Sequence, residues 1–553
     1  MTISTPDIAL RTSSENRAFA SATLTCTVPR RTGMLGISSA GRLKRAREWT
    51  LFTPAPPGGR QSALSMSTPG YERFSAQDSS FLVFEDPNTH MHLGGIAIFD
   101  AGPLATPDGG VDIERIRRHV ASRLHWIPRY RQRIAYIPLE RHPVWVDDDH
   151  FNLSYHVRHT SLPRPGDEEQ LKRLAGRVMS QRLDRRRPLW EIWVVEGLEG
   201  GRFAMVTKTH HCMVDGVAAV DLNAVLLSPT PEHPQEEAPP WVPRPAPSPL
   251  TLLRDEALRQ VRRPIVLGRW LGGALQAPDV APGHVLERVS AAWQTIGAGL
   301  KGAARTPLNA PIGPHRRFDW LTLDLGEVKG VKERFGGTVN DVVLATVAGG
   351  VRRFLRKRRV TLEGMDYRIV VPVSVRSEDE RGRFTNRASG WLMSLPIQER
   401  DPRRRLAKIR QTTARLKETN QALGVELLTQ LAEWGGAALV TLGTRLASRL
   451  APYNLIVTNI PGPQVPLYML GAPLRGGYPT VPLFENQGLG VATFSYAGQL
   501  CWGFNADWDL VPDLHDFVEA IGESFQELAE AAGFGDLRAT KAAARPPEAA
   551  AGP

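Results

Sequence analysis

Two periodicities alternate along this chain. Short runs with strand-like alternation of apolar and polar residues are interleaved with stretches whose apolar positions recur every three to four residues. HLGGIAIFD (His92–Asp100) reads as a strand, and DIERIRRHVASRL (Asp112–Leu124) as an amphipathic helix with an aspartate near its start. PVWVDDDHFNLSYHVRHTSL (Pro143–Leu162) is expected to be extended and DEEQLKRLAGRVMSQRL (Asp167–Leu183) helical. PLWEIWVVEGLEGGRFAMVTKTHH (Pro188–His211) reads as two strands joined by a Gly-rich turn at Glu199–Arg202, with a helix over Gly216–Leu227. This half is mixed α/β.

Nine prolines between Pro229 and Pro249 then exclude regular structure, and a segment of helical character follows to about Ala304. A second α/β block starts near Arg316. FDWLTLDL is a strand, TVNDVVLATVAGGVRRFLRKR a helix capped by Thr338 or Asn340, and YRIVVPVSVR a strand. A long helical region is expected over Pro402–Leu450, a strand and turn over Asn454–Pro463, and a helix over Asp513–Ala532.

The resulting division is an extension or misassigned start (1–65) and a first domain (66–228). A linker and helical crossover (229–315), a second domain (316–535) and an Ala/Pro-rich disordered tail (536–553) follow. The formal charge of +11 is concentrated: residues 1–65 hold nine Lys/Arg and three Asp/Glu, so +6 lies there and +5 elsewhere. The body carries no basic stripe interleaved with aromatics, which argues against nucleic acid as a partner. No apolar run is long enough for a spanning helix. Three scattered cysteines, Cys26, Cys212 and Cys501, form neither a disulfide framework nor a metal pattern and suit a reducing setting.

The chemistry concentrates in THHCMVDG (Thr209–Gly216). The alternation of Phe203–Thr209 puts His210 and His211 at the end of a strand, and Asp215-Gly216 makes the turn into the next helix. An imidazole there suits deprotonation of a hydroxyl near neutral pH. Neighbouring strand residues point to opposite faces, so one histidine is a candidate base and the other a structural partner. The bland alternative is a pair of histidines satisfied by backbone. Zinc needs three or four convergent ligands, so no metal is expected. Cys212 reads as a buried filler rather than a nucleophile.

HHCMVDG matches the HHxxxDG motif of CoA-dependent acyltransferases, a superfamily that includes chloramphenicol acetyltransferase-like enzymes and peptide-synthetase condensation domains. The flanks narrow the match. FSAQDSSFLVFEDPNTHMHLGGIAIFD, RRPLWEIWVVEGL, PIGPHRRF, TVNDVVLATVAGGVRRFL, VPVSVR and NLIVTNIPGPQVPLYMLGAPL occur in the order found in bacterial wax ester synthase/diacylglycerol acyltransferases, which the chain resembles over about Phe74–Gly533.

That resemblance implies an α/β fold of two chloramphenicol acetyltransferase-like domains with an active-site tunnel between them. It implies His211 as general base, with acyl-CoA as substrate rather than any cofactor, and diacylglycerol or a long-chain alcohol as acceptor. His210 would aid positioning or catalysis, and Asp215 would hold the motif through a salt bridge, with Arg376 one candidate partner. Asn340 and Asp341 match the family's ND motif and would orient an oxyanion, Asn340 being a donor or orienter or else a helix cap. Pro188, Leu189 and Trp190 would pack or line the acyl chain, and Gly216 would permit the turn. Such an enzyme would sit in the cytoplasm, docked peripherally on the inner face of the plasma membrane or on lipid droplets. Gly424–Leu450 could serve as either a docking or a core helix. Rival readings are an HHxxxDG acyltransferase for another lipid or polyketide alcohol, and a non-catalytic lipid-binding homologue.

Overall fold

The computed structural model describes residues 70–213, 225–232, 237–261, 302–374, 388–418 and 453–534. The expectations for 1–65, for Asp215, Gly216 and Arg376, for most of the 216–227 helix and for 424–450 lie outside those residues.

The first half runs β1 (Tyr71–Arg73), α1 (Ala76–Phe84), β2 (His92–Asp100), α2 (Ile113–Arg123), β3 (Gln132–Tyr136) and β4 (Pro143–Asp147). It continues with β5 (Val157–Ser161), α3 (Glu168–Ser180), β6 (Trp190–Leu198) and β7 (Arg202–His210). Side-chain caps fix the helix starts: Ser75 accepts from the Asp78 amide, Asp112 from Arg115 and Asp167 from Gln170. The stretch expected to be extended from Pro143 to Leu162 is broken by a helical turn at Leu153–His156. Asn152 caps this turn through the Ser154 amide, a side-chain signal that alternation alone does not carry.

The second half comprises β8 (Arg316–Asp324), α4 (Leu325–Phe335), α5 (Val339–Lys357), β9 (Arg368–Ser374), β10 (Ala388–Ser394) and α6 (Pro402–Glu418). It ends with β11 (Leu455–Ile460), β12 (Tyr468–Met469), β13 (Ala472–Thr480), β14 (Leu489–Tyr496), β15 (Gln499–Asp507) and α7 (Leu514–Ala531). Strands β10, β12, β13, β14 and β15 carry no counterpart in the pattern reading.

Two six-stranded sheets result, ordered β12-β13-β2-β7-β6-β5 and β10-β9-β11-β14-β15-β8, beside a small sheet β1-β4-β3. Both large sheets are mixed: β5 runs parallel to β6, and β11 parallel to β9 and β14. The first sheet takes β12 and β13 from the C-terminal half, with β13 antiparallel to β2 from Leu474↔Phe99 to Thr480↔Gly94. A boundary drawn along the chain therefore does not separate the two sheets.

The NIPGP turn makes that crossover possible. A Cβ on Gly462 would lie 2.3 Å from both the Phe494 ring and the Ser495 carbonyl, so only glycine lets the chain leave β11 this closely packed. Further contacts tie α3, the first sheet and the segment before β2 to β8. Helix α3 carries Lys172, whose Nζ lies 2.5 Å from Asp319 on β8, and Tyr478 stacks on Trp320 at 4.9 Å. Arg316 is buried; it donates to the Asn88, Gly313 and His315 carbonyls and lies 3.7 Å from Asp507.

Candidate active site

Strand β7 delivers the histidine pair. Its residues alternate between two cores: Phe203 and Met205 pack with Phe99 and Trp190, whereas Ala204 and Val206 pack with Ile96, Ile98 and α3. His210 ends the strand opposite His92 in register. It follows Lys208, which is buried toward α3 and donates to the Val178 and Gln181 carbonyls. The chain then turns, with the Met213 amide donating to the His210 carbonyl at 2.9 Å. His211 lies on this turn, and its ring stacks on Phe81 of α1 with centroids 3.8 Å apart and planes at 15°.

The two imidazoles have different surroundings. His211 is half-buried, and its amide donates to the Met91 carbonyl at 2.8 Å. Met91 adopts a left-handed backbone, φ 46°, uncommon for a residue with a Cβ. Burial disfavours the imidazolium, so the His211 pKa is pushed down to about 4. His210 is wholly enclosed, at 0% exposure. Its Nδ1 accepts the Cys212 amide at 3.2 Å, and its Nε2 lies 3.7 Å from Glu85 Oε2. Burial, and then the charges of Arg185, His211 and Arg182, hold its pKa well below the usual histidine range.

Cys212 is buried and unbridged, and burial pushes its thiol well above the ordinary value, which disfavours the thiolate a nucleophile needs. Leu189 and Trp190 pack in the core around this turn. The Leu189 carbonyl accepts the His210 amide at 2.9 Å, while Trp190 donates its Nε1–H to Tyr130 and stacks on His156 at 4.6 Å. Pro188 precedes them and turns the chain into β6, its carbonyl accepting the Trp190 amide at 3.0 Å.

The ND pair lies at the start of α5. Thr338 is the N-cap, so Asn340 sits inside the first turn and does not cap it. Asp341 closes a capping box: Oδ2 accepts from the Thr338 amide and hydroxyl at 2.7 and 2.8 Å, and Oδ1 from Thr413 of α6 at 2.7 Å. Both its oxygens thus accept hydrogen bonds within the packing of α5 and α6.

Three residues around the turn went unread in the sequence. Phe81 belongs to an unremarkable apolar run, and nothing in FLVFED separates Glu85 from a solvated acid. Met91 O is a backbone group and has no sequence signal. Among the described residues no cluster of three His, Cys, Asp or Glu side chains is placed to hold a metal ion.

Two mixed sheets, the first completed by β12 and β13 of the C-terminal half, with a histidine turn at the end of a central strand, make up a fold also found in condensation domains. A condensation domain of the CDA synthetase shares it at TM-score 0.51 and 17% identity, covering 84% of this chain and 96% of that one. A family model of the wax ester synthase/diacylglycerol acyltransferase catalytic domain matches residues 74–343, and one of the WS/DGAT C-terminal domain matches 384–529. A putative diacylglycerol O-acyltransferase of Mycobacterium tuberculosis is 33% identical over 85% of this chain and 93% of its own length. The structure of a wax ester synthase/diacylglycerol acyltransferase from Marinobacter aquaeolei is similar at TM-score 0.60 and 27% identity, over 83% of this chain and all of that one. The chain belongs to the wax ester synthase/diacylglycerol acyltransferase family and is an acyltransferase.

Proposed function

We propose that the enzyme transfers a long-chain acyl group from acyl-CoA to the free hydroxyl of diacylglycerol, giving triacylglycerol, and to long-chain alcohols, giving wax esters. His211 is the general base. Its neutral imidazole takes the hydroxyl proton as the oxygen attacks the thioester carbonyl; the tetrahedral oxyanion then collapses, the C–S bond breaks, and the CoA thiolate recovers the proton. The observation that carries this reading is the half-buried His211 on the turn after β7, neutral across the physiological range, with its amide fixed on Met91. The buried Cys212 thiol favours direct transfer over an acyl-enzyme. Asn340 remains the side-chain candidate for orienting the oxyanion, Asp215 and Gly216 for shaping the turn, and no cofactor is required by this chemistry.

The acceptor is dissolved in lipid, so the same reading puts the enzyme at the cytoplasmic face of the membrane or on lipid droplets. No described helix is long and apolar enough to cross a membrane. Leu139, 91% exposed, is an apolar side chain offered to the surface. The experiment is an assay with radiolabelled acyl-CoA and either diolein or hexadecanol. Ester formation lost by about 10³-fold in His211→Ala is expected; unchanged turnover in that variant sinks the base. Pelleting with liposomes tests the surface reading.

A further inference from the structure

His210 is enclosed on all sides, and a carboxylate is enclosed with it. Glu85 caps the end of α1, its side chain 1% exposed, and it accepts from Arg185 Nε at 2.6 Å while Arg182 Nε lies 3.5 Å from its other oxygen. Arg185 also donates to the Leu82 carbonyl at 2.9 Å, which clamps the last turn of α1. Burying the Glu85 carboxylate costs several kcal/mol of solvation, which the two partly exposed guanidinium groups offset. The arrangement faces the histidine turn from one helix end: the Glu85 amide donates to the Phe81 carbonyl, the Phe81 ring lies on His211, and the Glu85 carboxylate approaches His210.

The hydrogen bonds settle the His210 tautomer. Nδ1 accepts the Cys212 amide, so in the neutral ring the proton is on Nε2, the nitrogen that faces Glu85. Such a ring has no free lone pair with which to take a proton from substrate. Nδ1 is spent on the turn in front, while the buried Nε2 makes no hydrogen bond among the described residues and has the Glu85 carboxylate 3.7 Å away.

We propose that His210 and Glu85 form a positioning pair for His211: His210 Nδ1 holds the Cys212 amide, Nε2–H is directed at the Glu85 carboxylate, and the turn carrying His211 is thereby held in one geometry. This rests on the reading of His211 as base. Neither residue touches substrate; both act through the backbone of the turn.

The test uses the full-length chain. An asparagine Oδ1 reaches the place of Nδ1, whereas a glutamine amide reaches only the place of Nε2. His210→Asn is expected to keep kcat within about tenfold of the native enzyme, because the Cys212 amide keeps an acceptor; His210→Gln and His210→Ala fall about 100-fold, the scale on which a small misplacement of a reacting group acts. KM for acyl-CoA and for diolein is expected to stay within about twofold in all three, since the proposed pair acts through the turn and not on substrate. Glu85→Gln lowers kcat about tenfold in the native background and adds little in His210→Ala, the signature of one coupled unit. Thermal melts identify any variant that fails to fold. If His210→Ala does, the Asn-against-Gln comparison decides.

His210→Asn as inactive as His211→Ala would give His210 a chemical role and overturn the pair. Equal activity of His210→Asn and His210→Gln, or multiplicative effects of Glu85→Gln and His210→Ala, would do so too. Native turnover in His211→Ala strikes instead at the base on which the pair acts.

Discussion

Lowering the pH is the perturbation to which this site answers most specifically. A histidine base in water would lose activity near its ordinary pKa of about 6.5. Here burial against Phe81 pushes the His211 pKa down to about 4. At pH 5 the buried imidazole is ~90% neutral, against ~3% for an unperturbed one, so the two cases differ by about 30-fold in rate. The assay is initial-rate kcat/KM from pH 8 to 4, with pH-jump controls that return the enzyme to pH 7.5 and check full recovery. The acid limb should lie near pH 4, and Phe81→Leu, which thins the apolar cover, should move it upward. An acid limb at 6.5 in the native enzyme, with acyl transfer shown to be rate-limiting, would refute the link between this burial and the base. So would an unmoved limb in a folded Phe81→Leu.

Stability has its own pH dependence. The buried His156 is also pushed down to about 4 by burial, so between pH 6.5 and 4 the unfolded chain binds more protons than the folded one. Stability is then complete above about pH 6.5 and falls on acidification by up to about 3 kcal/mol from this residue; the melting temperature at pH 7.5 and pH 5 reads it, and His156→Phe should flatten the difference. Arg316→Met strands the buried Asp507 without its cation and should cost about 3–5 kcal/mol in a denaturant melt. Gly462→Ala forces a Cβ against the Ser495 carbonyl and the Phe494 ring and should cost about 1–3 kcal/mol or more, again by denaturant melt. Cys212→Ala should keep turnover within about threefold, because no acyl-enzyme forms there; loss of activity with native folding would reinstate the thiol.

Much of the molecule was legible because it follows local rules. The strand His92–Asp100, the helices capped by Asp112 and Asp167, and the pair of strands ending at the histidines follow from periodicity and caps. The placement of His210 and His211 at a strand end follows as well, and the ordered motifs identified the family. Where sequence reading stopped, the information was not local. The partnership of β13 with β2 joins residues 474–480 to 94–99, and no periodicity specifies a partner that distant. Asn340 and Thr338 were equivalent caps until φ/ψ and the Asp341 box chose between them.

Local patterning and motifs are enough to say which residues can do chemistry and on which elements they sit. What each of them can do was set by packing. It laid Phe81 on His211 in a site whose burial lowers that imidazole's proton affinity; it spent Asp341 on a helix start; and it set Glu85 behind His210. Burial and hydrogen-bond partners, which fix proton affinity and tautomer, are properties of the packed chain.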